Sequence, residues 1–253
     1  MTTTAKSVKT PWWDVYFRTH RPFFGEIPAA ETRRQVAYLV EKLGLSRGKS
    51  FLDSPCGVGR ISIPLAKLGV KVTGVDLSPA YIDELNQTSA RNRLGISTLR
   101  CDMRKVTFAN KFDAAGNLGT SFGLFTNERD NLLCLQVMYR ALKPGGKFVL
   151  HLSNRDWIVT HFTSHGWMYS ENSLVLMERS FDYATSVLQA TWKFYRHGFG
   201  DEYKIQCRLY SCHELIAMFR KVGFENVEAF GSTDNDPVSQ NTKMNWVFGA
   251  KPR

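Results

Sequence analysis

Two stretches of this chain carry residue types suited to holding a nucleoside: Phe51-Leu52-Asp53-Ser54-Pro55-Cys56-Gly57-Val58-Gly59-Arg60 and Val72-Thr73-Gly74-Val75-Asp76-Leu77-Ser78. In the first an apolar strand runs into a glycine turn, and in the second an apolar strand ends at an acid. Glycine lets the backbone approach a ligand where a Cβ would clash. An acid at the end of the second strand accepts hydrogen bonds from both ribose hydroxyls. The expected ligand is an adenosine derivative. A dinucleotide fingerprint would need a third glycine where Ser62 stands, and a P-loop would need Gly-Lys-Ser/Thr to close the turn. Neither phosphate motif fits.

The run Asp53-Ser54-Pro55-Cys56-Gly57-Val58-Gly59 resembles motif I of the class I S-adenosylmethionine-dependent methyltransferases, acid-x-Gly-x-Gly-x-Gly, with proline in place of the first glycine. The likeness continues in order over roughly residues 50–153, through Asp76, Cys101-Asp102-Met103, Phe112-Asp113-Ala114-Ala115-Gly116-Asn117 and Lys143-Pro144-Gly145-Gly146-Lys147. It implies S-adenosylmethionine as the cofactor. Asp53, Pro55, Cys56, Gly57 and Gly59 would line it, Asp76 would grip the ribose beside Leu77, and Asn117 and Leu118 would close strand four. Asp102 would lie near the adenine amino group, with Met103 against the ring. In many small-molecule members an aromatic N-terminal helix folds over the cofactor, a part open here to Trp13 and Tyr16.

The fold implied is α/β and doubly wound. It has a mostly parallel seven-stranded sheet, an antiparallel terminal strand and an antiparallel strand insertion after strand five. The expected organisation is an N-terminal helical cap at 1–45, a cofactor-binding core at 46–168 and 211–253, and a substrate-covering insertion at 169–210. Periodicity adds detail. Apolar spacing predicts helices over 32–43, over 127–142 and over 213–222, and one in which Ile61, Ile63, Leu65, Ala66 and Leu68 all pack. Ser78-Pro79 starts another helix. Leu174 to Met177, the row Leu188, Ala190, Trp192 and Phe194, and the row Tyr203, Ile205, Cys207 and Leu209 read as antiparallel strands. Residues 227–230 and 246–250 would form the terminal pair, joined by a polar loop at 232–243.

Ligands of doubly wound folds sit at the carboxyl ends of the strands. Phe122, Asn154, Arg155 and Trp157 are therefore the expected acceptor contacts, although Asp156 could instead cap a helix beginning at Trp157. Methyl transfer needs a base only for some acceptors. Tyr16 and His151 are the candidate catalytic groups, and for His151, between Leu150 and Leu152, a core role is favoured. His161 and His165 share helical spacing but lack an H-E-x-x-H acid, so no metal is expected.

A formal net charge of +10 could attract nucleic acid, but the cations are scattered through the sequence, which disfavours that partner. Five cysteines without a C-x-x-C pair read as reduced thiols. No run of apolar residues is long enough to span a membrane, and a cytoplasmic protein is expected. The oligomeric state stays open. The leading function is methyl transfer from S-adenosylmethionine to an N or O acceptor on a small molecule. The alternatives are an RNA or protein/peptide methyltransferase, or a cofactor-binding protein of the same fold without methyl transfer.

Overall fold

The computed structural model describes residues 27–125, 127–170, 173–196 and 199–253. A seven-stranded sheet runs in the order β10-β11-β5-β4-β1-β2-β3. Its strands are β1 (Ser50–Asp53), β2 (Lys71–Asp76), β3 (Ser97–Arg100), β4 (Phe112–Leu118), β5 (Leu142–Ser153), β10 (Glu225–Phe230) and β11 (Met244–Ala250). Strands β1 to β5 pair in parallel, whereas β11 runs antiparallel to both β5 and β10.

Helices cover both faces of this sheet. Along β1 the alternation of side chains sends Phe51 into one apolar cluster and Leu52 into the other. Phe51 joins Val36 and Leu39 of α1 (Ala29–Leu43), Leu65 of α2 (Ser62–Lys67) and Leu85 of α3 (Pro79–Arg91). Leu52 joins Leu135 and Met138 of α4 (Glu128–Ala141), and Leu215 and Phe219 of α6 (Cys212–Val222). Phe148, Phe219 and Phe224 pack as a triangle, with the Phe148 ring centroid 5.5 Å from each of the others and those two 5.0 Å apart. The inner parallel strands β1, β2, β4 and β5 are thus covered on both sides, as crossover connections require, whereas the edge strand β3 is largely exposed.

A second sheet of four antiparallel strands, β6 (His165–Ser170), β7 (Ser173–Asp182), β8 (Val187–Arg196) and β9 (Phe199–Arg208), stands between β5 and α6. Val175, Ala190, Trp192, Phe194 and Ile205 form its own apolar cluster. The sequence pattern predicts three strands in this region, and β6 is the addition. His161 and His165 do not share a helix, because α5 (Arg155–Thr160) ends before them and His165 opens β6.

Two further expectations are corrected. Leu68 is exposed rather than packed, because α2 is only six residues long and Leu68 lies beyond its last turn. Helix α5 begins at Arg155 and not at Trp157. Its cap is Asn154, whose Oδ1 accepts from the Asp156 backbone N–H at 3.0 Å.

Asn154 is fully buried. Its Nδ2 donates to the carbonyls of Ser239 and Thr242, both at 2.8 Å, so one side chain caps a helix and holds the loop between β10 and β11. A cap contributes about 1 kcal/mol and each buried amide bond about 1 kcal/mol more. Asn154→Ala is expected to lower unfolding stability by about 2–4 kcal/mol, read by urea denaturation. A loss below about 0.5 kcal/mol would show that the clamp is not structural.

Candidate functional site

The turn after β1 is held by backbone bonds to its neighbours. The Ser54 N–H donates to Gly116 O at 3.0 Å and the Cys56 N–H to Val75 O at 2.8 Å. Gly57 has φ +53°, and a Cβ there would point into open space. Gly59 has φ +89°, and a Cβ there would run into the Leu85 and Ile63 side chains. The first glycine leaves room for a ligand, and the second lets α2 and α3 close beneath the turn. The Ser54–Pro55 peptide is cis.

Asp76 ties this turn to the end of β2. Its Oδ2 accepts from the Gly57 N–H at 2.8 Å and its Oδ1 from the Ser78 N–H at 2.9 Å. Burial raises the Asp76 carboxyl above the usual carboxylate range, opposed by the backbone donors of Ser78, Gly57 and Leu77. Three backbone donors leave the carboxylate one of its four acceptor positions for a ligand. Leu77 is half-buried beside it.

Asp53 is buried one strand away and accepts from Ser62 Oγ at 2.6 Å. Burial pushes its carboxyl up to about 7, against the Ser62 hydrogen bond and the nearby Arg60 charge. Arg60 in turn donates to Gln35 Oε1 at 2.7 Å. The Asp53–Ser62 pair and the Arg60 tether were not foreseen. Their spacings cross a turn and two helices, where no regular period points to a contact. Cys56 packs beneath the turn, 2.9 Å from where a Gly74 Cβ would stand, and burial raises its thiol.

Asp102 caps the 3-10 turn Met103–Lys105 by accepting from the Arg104 N–H at 2.9 Å, and its carboxylate also takes the Arg104 guanidinium at 2.6 Å. Although burial works the other way, the Arg104 bonds hold the Asp102 carboxyl below its usual range. Met103 is half-buried, its Sδ 3.5 Å from Asn117 Nδ2. Asn117 Oδ1 is buried without a hydrogen-bond partner, at the carboxyl end of β4. Leu118 is buried beside it.

The expected acceptor contacts do not form one surface. Phe122 is a core side chain, its ring centroid 5.2 Å from that of Tyr210. Asn154 is occupied by its clamp. Arg155 and Trp157 are half-buried on α5; the Arg155 Nε has no hydrogen-bond partner, and Trp157 stacks on His161 at 4.6 Å. His151 lies in the core, 4.0 Å from the Trp246 ring centroid, and burial lowers its imidazole to about 3. It is neutral at physiological pH. Tyr16 and Trp13 lie outside the described residues.

Open space over Gly57, a buried carboxylate with an acceptor position to spare and the orphaned Asn117 oxygen fit an adenosine bearing a polar tail. Residues 51–146 match the family model of a methyltransferase domain. Residues 51–146 of this chain form a methyltransferase domain. It is similar to a putative methyltransferase, YqeM, of Bacillus subtilis, 27% identical over 202 residues, 77% of this chain and 81% of that one. It is also similar to a ubiquinone biosynthesis O-methyltransferase of Coxiella burnetii, 31% identical over 151 residues, 59% of this chain and 62% of that one. Among solved structures, the CcbJ methyltransferase of Streptomyces caelestis superposes with a TM-score of 0.79, covering 96% of this chain and 99% of that one at 19% identity. That last likeness speaks for the fold. S-adenosylmethionine is the cofactor of this methyltransferase domain.

Two outcomes test the cradle. Asp76→Ala should weaken S-adenosylmethionine binding by about 1.5–3 kcal/mol in a calorimetric titration, through loss of charge-assisted ribose bonds. Unchanged affinity in a folded variant would remove Asp76 from the site. For Asp53, a folded value near 7 against about 3.9 unfolded means the folded state binds the extra proton between those values. Its contribution to stability therefore falls as pH rises from about 4 to about 7 and is level beyond. Cofactor-free Asp53→Asn should lack that component, seen as a wild-type-minus-variant stability difference that changes over this window and nowhere above it.

Proposed function

We propose that this methyltransferase acts on a nitrogen or oxygen nucleophile of a small molecule enclosed beneath the four-stranded sheet. The observation that carries this reading is where that sheet attaches. It leaves the core after α5 and returns before α6, and the Arg208 N–H donates to Gly123 O, in the loop that follows β4, at 2.8 Å. A cavity of about 150 Å³ between Gly123, Phe125 and Glu128 on one side and Thr185, Val187, Gln206 and Arg208 on the other marks this junction. In doubly wound folds that edge is where ligands bind. The extent 169–210 for the covering segment, and the remainder 46–168 with 211–253 for cofactor binding, belong to this reading.

S-adenosylmethionine supplies, when bound, a methyl group on a sulfonium whose departure requires no proton from the protein. In this reading Asp76 holds the ribose hydroxyls, Asn117 Oδ1 accepts from the amino end of the cofactor and Met103 packs against its base. His151 stays neutral in the core and takes no proton. Positioning and exclusion of water then carry the acceleration. The nucleophile reaches the site with a free lone pair, as a neutral amine or a readily ionised hydroxyl.

No helix among the described residues is long and apolar enough to cross a membrane. All five cysteines are free thiols, which suits a reducing compartment, and the cytoplasm is the proposed setting.

Release of S-adenosylhomocysteine against panels of small amines and phenols, RNA and peptides tests the proposal. Small acceptors should raise it above the basal rate, whereas stimulation by RNA or peptide alone would replace the proposed substrate class. With any acceptor so found, His151→Phe is expected to keep the rate within about threefold, because a general base contributes about 100-fold or more. A loss of that size would make His151 a base.

A further inference from the structure

The four-stranded sheet has two unlike faces. Strand register places Trp167, Leu176, Lys193 and Glu202 in one row across the sheet, with Tyr169, Leu174, Tyr195 and Gly200 in the next. Side chains in the same row share a face. This face is opposite the one that buries Val175, Trp192, Phe194 and Ile205. Trp167 is 67% exposed, Tyr169 73%, Tyr195 44% and Leu176 37%, half of the eight large hydrophobic residues that the described part of the chain leaves exposed. Trp167 and Tyr169 meet edge to face at 5.9 Å. Tyr195 lies across Gly200, where a Cβ would come within 3.3 Å of its ring.

We propose that this face is the interface through which two copies of the chain form a two-fold dimer. Three features select a second copy. The first is charge. The chain carries +10 overall and repels its own kind over most approaches, yet this face has two glutamates, Glu178 and Glu202, against two lysines, Lys193 and Lys204, and is locally neutral. Lys193 and Glu178 are already paired at 2.9 Å. A strongly anionic partner would find no positive field here.

The second is arrangement. The two aromatic rows lie at one end of the sheet, and the next row, His165, Glu178, Thr191 and Lys204, is polar. A two-fold axis lying between two such faces sets the corner of Trp167, Tyr169, Leu174, Leu176 and Tyr195 on its copy and leaves Lys193 and Glu202, on the β8–β9 side of the first row, and the polar row around it, the anatomy of a specific interface. The third is size. Four strands about 4.8 Å apart and about 30 Å long offer roughly 600 Å² per copy, or about 1,200 Å² in total, the lower end for a stable complex.

Sedimentation velocity of the full chain from about 1 to about 100 μM tests this, because interfaces of this size range from micromolar to tighter. The wild type should sediment as a dimer over the upper part of that range. Trp167→Lys combined with Tyr195→Lys should sediment as a monomer that binds S-adenosylmethionine with unchanged affinity. Should that double variant lose its fold by circular dichroism, Leu176→Lys replaces it. A wild type that stays monomeric throughout would assign the patch to some other partner and overturn the proposal. So would a dimer that survives both sets of substitutions.

Discussion

A carboxylate taken out of water must be given donors or its proton back, and Asp76 is given donors from two separate loops. Gly57, in the turn after β1, supplies one N–H, and Ser78, capping the helix after β2, supplies the other. Both loops are therefore set by one side chain. The glycine turn cannot drift from the sheet without orphaning a buried charge. Helix α3 cannot shift without losing its first turn. The oxygens that organise the turn are the ones the resemblance assigns to the ribose, so on the proposed reading building the site and holding the ligand use the same group.

Asp53 solves the same problem differently. Its donors come from Ser62 alone, where Asp76 draws backbone N–H groups from two loops, and burial moves it to about 7 while Ser62 and Arg60 oppose the shift. Two acids 23 positions apart in sequence thus sit at the ends of adjacent strands with unlike affinities for a proton. The strand ends combine one buried carboxyl braced by backbone donors with one pushed up to about 7, and the neutral His151 adds no third titration in that range.

The parallel sheet was legible because strands covered on both faces must be apolar throughout. Phe51-Leu52, Val72 to Val75 and Ala114-Ala115 carry that signature, and the glycine turn and acids fall at their ends. Strand β6 was not legible. Trp167 and Tyr169 face solvent while Gly166 and Met168 lie on the other side, so no alternation of apolar and polar residues marks it as a strand. The sequence places Asn154 among the acceptor contacts, whereas its side chain is taken up by the protein's own backbone. Its clamp depends on Ser239 and Thr242, more than eighty positions away, and no local pattern reports a partner at that distance. The Asp53–Ser62 contact was hidden for a similar reason.

The insertion contains its own apolar cluster, and it enters and leaves the core at one edge of the sheet, near the loop after β4. None of its side chains belongs to the two clusters that sandwich the seven-stranded sheet. Such a part can be rebuilt residue by residue while the nucleoside cradle keeps its geometry. On the proposed reading, in which this sheet covers the acceptor, substrate choice is a replaceable module. An exchange of β6 to β9 between related chains, joined at α5 and α6, would then move acceptor preference and leave the grip on the methyl donor where it was.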